Sequence, residues 1–312
     1  MNDNNVYEPV AKRGGNLSFQ ELFCGFPPDT FRPNEPLYKH TSFKIGGPAD
    51  LMFLPQSKEQ LCDAVKILIR HSVPYFIMGN GTNLLVSDEG YRGVIIKTDN
   101  LSKAAVNGHK LYAEAGVSLA QAASAALNAS LTGLEFASGI PGSFGGALCM
   151  NAGAYGGEIK DGLTQAEVID SSGEVYTISN TQAEFSYRGS RIQREGLIVL
   201  SGILSLERGE ASKIKARSAE LNAMRRQKQP LEYPSAGSAF KRPPGHFAGK
   251  LIMDSGLSGY SIGGAMVSPK HCGFIINTGG ATCAEVLELI SYIKTTVQEQ
   301  FEIELKPEIK II

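Results

Sequence analysis

The chain has 312 residues, 42% of them hydrophobic, with 30 lysines and arginines against 31 aspartates and glutamates, so it can fill two or three cores at a formal net charge of −1. That balance excludes a broad electrostatic field for nucleic acid or an anionic membrane, and any anionic ligand has to be met by local groups. Five cysteines without a C-x-x-C pair argue against a zinc ribbon or redox dithiol and fit reduced thiols in the cytoplasm, and the first thirty residues lack the charged start and apolar run of a secretory signal.

Residues 1–33 show no sustained periodicity and are expected to form a loosely attached arm, with the organised chain beginning near Pro36. A first α+β lobe, 34–100, opens with an extended segment at 49–54. A helix over 57–72 follows, entered by a Ser57/Gln60 capping box and carrying the apolar stripe Leu61, Val65 and Leu68. After a strand at 75–78, the text GNGTN, LLVSD and GVIIKT reads as a glycine loop and two short strands.

A second lobe, 101–208, begins with the strand LYAEAG. Residues 115–134 carry no formal charge, yet Ser118, Gln121, Ser124, Asn128 and Thr132 recur at helical spacing, which marks an amphipathic helix rather than a membrane span. A glycine-dense run follows, then a hairpin over 166–179 turning at Ser172 and Gly173, then the strand LIVLSGILSL.

The third domain is expected over 209–302. It starts with a charged helix through 213–226 whose continuation Pro230 stops. Next come a helix near 246–254, the strands SIGGAMVS and GFIINT, and a helix from a Thr282/Glu285 capping box to Gln300 with the core face Val286, Leu289, Ile290, Ile293 and Val297. A terminal strand, IELKPEIKII, occupies 303–312.

Between Gly133 and Gly157 stand eight glycines in 25 residues, against an ordinary share of roughly 7 per cent. Glycine accepts positive φ and has no Cβ, so successive amides can turn inward around phosphate oxygens. Taken singly, GNGTN reads as a tight turn; two such loops in one chain point to a ligand. Neither matches the dinucleotide fingerprint G-x-G-x-x-G, since Leu84 stands where GNGTN needs its last glycine, and GHFAGKL is one residue short of a P-loop. The absence of G-x-S-x-G weakens a hydrolase reading of Ser238. His40, His71, His109, His246 and His271 do not cluster in the sequence, and no metal site is assigned.

Six ordered motifs, HTSFKIGGPAD, GNGTNLLVSD, GIPGSFGGALCMNAGAYG, FSYRGS, PSAGSAFKRP and LKPEIKI, resemble those of the UDP-N-acetylenolpyruvoylglucosamine reductase (MurB) family across almost everything from Tyr38 to Ile312. The resemblance implies an α+β fold: a two-lobed FAD-binding region of the vanillyl-alcohol-oxidase type followed by a smaller α+β substrate-binding domain. It implies non-covalent FAD, held through Gly79, Asn80, Gly81, Thr82 and Asn83 and through Pro141, Gly142, Ser143, Gly145 and Gly146, with Arg225 as a further contact.

It also implies that NADPH and the enolpyruvyl ether of UDP-N-acetylglucosamine use one pocket in turn, yielding UDP-N-acetylmuramate for peptidoglycan. Ser238 is then the proton donor to C2 and Arg188 a planar donor to the enolate. Glu308 acts protonated or orients Arg188, while Tyr187 and Lys228 contact the substrate. Arg242 stands where some members carry asparagine before the proline of the FKNP segment, and the short third domain fits the compact subclass, without an additional substrate-covering loop. An oxygen-using FAD oxidase of the same superfamily and a flavin-binding module without chemistry are the competing readings; the Arg188, Ser238 and Glu308 set argues against the second.

Overall fold

Three principal sheets carry the chain in this computed structural model, which describes residues 18–312; the first seventeen residues of the expected arm lie outside the described residues. The first sheet has the order Phe31–Pro36, Pro48–Phe53, Tyr91–Lys97, Tyr75–Met78. Its outer strand Phe31–Pro36 pairs antiparallel, and the other neighbours run parallel, as a chain that crosses over through the helix Lys58–Arg70 requires. Leu61, Val65 and Leu68 of that helix are buried against Leu51, Phe53, Val94 and Ile96. Only half of the expected capping box forms: Ser57 Oγ accepts the Gln60 amide at 3.3 Å, while Gln60 Oε1 accepts the amide of Gln56 instead.

Ordered structure begins before Pro36, which corrects the expected start. Phe31 lies opposite Phe53 in the sheet and stacks on it at 5.0 Å, and Phe23 stacks on the same ring at 5.8 Å. These phenylalanines are spaced by neither two nor 3.6 residues, so periodicity gave no sign of them, although each ring buries a large apolar area.

The second sheet, all antiparallel, has the order Val175–Ser179, Leu163–Ile169, Ile198–Ser205, Lys110–Glu114, Ala104–Asn107. Its hairpin turns at Gly173, whose φ of 85° favours glycine. The helices Leu119–Asn128 and Phe144–Met150 fill the core beneath the sheet. The helix Ala211–Lys228, expected to open the third domain, buries Leu221 in this same core and so packs on the second lobe.

In the third sheet the order is Ser235–Ser238, Phe274–Asn277, Ala265–Val267, Ser261–Ile262. SIGGAMVS is therefore two short strands around Gly263 and Gly264, where the sequence suggested one. The helix Cys283–Phe301 has its full Thr282/Glu285 box and buries Val286, Leu289, Ile290, Ile293 and Val297.

The terminal segment is not one continuous strand. Lys306 O accepts the Lys241 amide and Glu308 N donates to Ala239 O. After Glu308 the chain changes partner, the Lys310 amide donating to Asn83 O at 2.9 Å. Lys310–Ile311 then runs parallel to Leu84–Leu85 of the first lobe. Asp88 adds a second tie, accepting the amides of Cys283 and Ala284 at 2.8 and 3.0 Å and so capping the third lobe's long helix.

Candidate active site

Two adjoining cavities of about 560 and 440 Å³ lie where the three lobes meet, and both are lined by Thr82, Asn83, Ile140, Arg188 and Glu308. The larger is also lined by Ser238, Arg225, Tyr233 and Gly153, the smaller by Gly79, Gly142, Ser143 and Lys310.

Glu308 reaches this place because the terminal segment is bonded on both sides: its amide donates to Ala239 O at 2.9 Å, and its own carbonyl accepts Asn83 Nδ2 at 3.1 Å. Its side chain is only 9% exposed. Burial pushes the carboxyl above the ordinary carboxylate range, while the Arg188 charge pulls the other way.

Arg188 sits at the tip of a tight turn in which Ser186 and Gly189 exchange backbone hydrogen bonds of 2.9 and 3.3 Å. Its φ of 53° is left-handed, a conformation uncommon for a long side chain and often found where a site fixes the backbone. Nε donates to Glu308 Oε1 at 2.9 Å and Nη1 to Gly153 O at 3.1 Å, and the other guanidinium N–H groups have no acceptor among the described residues.

Ser238 ends the strand Ser235–Ser238, whose pairing with Phe274–Asn277 is broken by a bulge. Gly237, at φ 78°, turns the chain there. Among the described residues no group hydrogen-bonds the Ser238 hydroxyl. Arg188, Ser238 and Glu308, distant in sequence, thus share the larger cavity.

Of the residues expected to hold a cofactor, Gly79, Asn80, Gly81, Thr82 and Asn83 line the smaller cavity together with Gly142, Ser143 and Gly146, and Pro141 and Arg225 line the larger. Gly145 does not line either: its amide donates to Ala115 O at 2.8 Å, and a Cβ there would stand 3.0 Å from Ala115 Cβ, so its glycine serves helix packing. Lys228 is exposed at the end of its helix and lines neither cavity. Tyr187, 52% exposed, lies outside both, its hydroxyl accepting the Arg242 amide at 3.3 Å.

Sequence reasoning missed Asn151, Lys241 and Lys310. Asn151 follows a short helix directly, and asparagine there is a signal for a left-handed cap. The other two are ordinary surface residues by type; only the fold brings them into the smaller cavity. Burial lowers the pKa of Lys310, whose Nζ lies 4.7 Å from the Phe76 ring centroid.

A bound dinucleotide fits these residues. The amides of Asn80, Gly81, Thr82, Asn83 and Gly142 find no acceptor among the described residues, so they remain available to anionic oxygens. The loops are also close-set: a Cβ on Gly79 would lie 2.1 Å from Ser143 Oγ, and one on Gly81 2.2 Å from His40 O. Half-buried Arg225 and Lys310 supply positive charge, and neither is paired with a carboxylate among the described residues.

Comparison with known proteins agrees with this arrangement. A family model for an FAD binding domain matches residues 49–179, and one for the C-terminal domain of UDP-N-acetylenolpyruvoylglucosamine reductase matches residues 229–312. The chain is 56% identical over 279 residues to the UDP-N-acetylenolpyruvoylglucosamine reductase of Caldanaerobacter subterraneus subsp. tengcongensis, covering 89% of this chain and 92% of that one. It is 47% identical over 298 residues to a protein of the same name from Clostridium botulinum, covering 95% and 98%. The crystal structure of UDP-N-acetylenolpyruvylglucosamine reductase from Thermus caldophilus superposes with a TM-score of 0.77 at 35% identity, over 90% of this chain and 97% of that one.

Proposed function

The chain belongs to the UDP-N-acetylenolpyruvoylglucosamine reductase family, and from that premise we propose that Ser238, Arg188 and Glu308 are its catalytic groups. The enzyme is an NADPH-dependent flavoenzyme of peptidoglycan precursor synthesis, a UDP-N-acetylmuramate dehydrogenase. When bound, FAD would supply hydride exchange between NADPH and C3 of the enolpyruvyl group. The free amides of Asn80, Gly81, Thr82, Asn83 and Gly142 would hold its pyrophosphate, with Arg225 nearby.

Hydride addition at C3 leaves negative charge spread from C2 into the substrate carboxylate. Arg188 meets that charge with the N–H groups it does not spend on Glu308 and Gly153, a planar array that lysine cannot copy. Glu308 holds the Nε edge of the guanidinium, fixing its plane; because its own carboxyl is buried, it acts through Arg188 rather than facing the enolate bare. Ser238 Oγ moves the proton to C2. A serine is a weak acid in water, but here it has only to outmatch a developing carbanion at fixed distance, and small Ala236 and Gly237 leave the carbon room to approach.

Tyr187 and Lys228, outside both cavities, are assigned to the outer, nucleotide end of the substrate. The domains are read as lobes at 34–100 and 101–208, a substrate-binding domain at 209–302 and a terminal segment at 303–312, with two changes: the strand Phe31–Pro36 joins the first lobe and the helix Ala211–Lys228 packs on the second. Among the described residues no helix is long and apolar enough to cross a membrane. Both substrates are charged nucleotides that do not cross a bilayer, and we read the enzyme as cytoplasmic.

The observation that carries this reading is the Arg188 to Glu308 contact at 2.9 Å in the cavity that Ser238 also lines. The test is anaerobic stopped-flow absorbance of the FAD-loaded protein. NADPH should bleach wild type and Ser238→Ala at rates equal within about 2-fold, while recolouring by the enolpyruvyl sugar nucleotide should slow by about 100- to 10,000-fold in the variant. Equal slowing of both steps would remove Ser238 from proton donation, and bleached enzyme that recolours with oxygen but not with the sugar nucleotide would identify an oxidase.

A further inference from the structure

We propose that Asn151 is a positioning residue for Arg188, clamping the turn that presents it; this rests on the catalytic reading of Arg188 given above. Asn151 is fully buried, at 0% exposure, and it is left-handed with φ 47°, capping the helix Phe144–Met150. Its backbone amide donates to Ala147 O, so its place at the helix end is fixed before its side chain makes any contact.

Both donor hydrogens of that side chain and its oxygen are engaged. Nδ2 donates to Ser186 O at 3.0 Å and to Glu158 Oε2 at 3.1 Å, and Oδ1 accepts the Lys160 amide at 3.3 Å. Ser186 is the first residue of the two-residue turn whose tip is Tyr187 and Arg188. The other foot of the turn is tied to the same helix end: Ser190 Oγ donates to Cys149 O at 2.6 Å.

Both feet therefore stand on one helix terminus, and the helix begins at Ser143, which lines the smaller cavity. Two residues beyond Asn151, Gly153 O accepts Arg188 Nη1. Asn151 thus fixes where the turn starts and where one of the guanidinium's acceptors sits. A left-handed Arg188 needs such outside support, since nothing in its own backbone favours that conformation. Asparagine suits the post: it tolerates positive φ, and its amide offers donors and an acceptor together, which aspartate does not.

The test uses FAD-loaded enzyme and reads bleaching and recolouring separately. Asn151→Gly keeps the left-handed backbone and removes the clamp. It should leave FAD content and bleaching by NADPH unchanged within about 2-fold and slow recolouring by about 10- to 100-fold. In an Arg188→Ala background the same substitution should change recolouring by less than about 2-fold, because a residue acting through Arg188 has nothing left to position.

Additive effects in that background, equal slowing of both steps, or wild-type recolouring in Asn151→Gly would each overturn the proposal. If Arg188→Ala alone recoloured at the wild-type rate, the catalytic reading would fall and this inference with it; slow Arg188→Ala beside normal Asn151→Gly would sink the inference alone. Should Asn151→Gly lose FAD, Asn151→Asp, which keeps volume and replaces the donors by an acceptor facing Glu158 and Ser186 O, is read by the same criteria.

Discussion

Arg188 Nε and Glu308 Oε1 stand 2.9 Å apart across 120 residues of chain, joining a turn of the second lobe to the segment that ties the third lobe to the first. The pair is held from both sides: Glu308 by Ala239 and Asn83, Arg188 by Gly153. The strength of such a contact lies in its geometry, since a buried ion pair gains little net energy once desolvation is counted.

Replacing the planar fork tests that geometry. Arg188→Lys keeps a positive charge but cannot serve Glu308, Gly153 and the substrate together. Recolouring by the sugar nucleotide should slow by about 100-fold, with bleaching by NADPH little changed. Stopped-flow absorbance on FAD-loaded protein checks it, and a lysine variant that recolours at the wild-type rate would show that charge alone suffices.

The burial of Glu308 has a measurable effect on stability. Its pKa is raised in the folded protein, so below the unfolded value near 4.5 the native state holds the proton at no disadvantage, and stability from this group declines as pH rises through the folded value. Glu308→Gln removes that decline. The unfolding free energy of the variant minus that of wild type, from urea titrations, should therefore become more favourable on going from acid to neutral pH. A difference that moves the other way would mean that the Arg188 charge outweighs burial.

Gly79 admits no Cβ without moving Ser143, whose Oγ would lie 2.1 Å away and which caps the helix Phe144–Met150 through the Gly146 amide at 3.3 Å. Gly79→Ala should cost about 1–3 kcal/mol of stability and release FAD, seen as loss of visible absorbance after gel filtration. Full flavin retention would place the pyrophosphate elsewhere.

Asp88 is a joint between lobes that sequence patterns do not reveal. Asp88→Ala leaves the amides of Cys283 and Ala284 without their cap and should lower stability by about 1–2 kcal/mol. Thermal unfolding checks it, with Asp88→Asn recovering part of the loss through its remaining acceptor.

Local elements were legible where the signal is local. Thr282 begins its helix with the expected box, Ser118 begins a helix that ends at Asn128, short of Thr132, the stripe from Leu61 to Leu68 faces the core, and the hairpin turns at Gly173. The misses share a cause. The phenylalanines around Phe53, the divided terminal strand and the packing of the helix Ala211–Lys228 all depend on a partner far along the chain, which no window of neighbouring residues contains.

The same division runs through the site. Glycine density pointed to both loops, and the resemblance of six ordered motifs to a known family nominated Ser238, Arg188 and Glu308, because short motifs keep their residue types wherever the chain places them. Which of them meet, how far Glu308 is withdrawn from water, and that Asn151 and Asp88 hold the pieces together were decided only on folding. Distance and desolvation belong to pairs of groups, and the chain brings those pairs together from opposite ends.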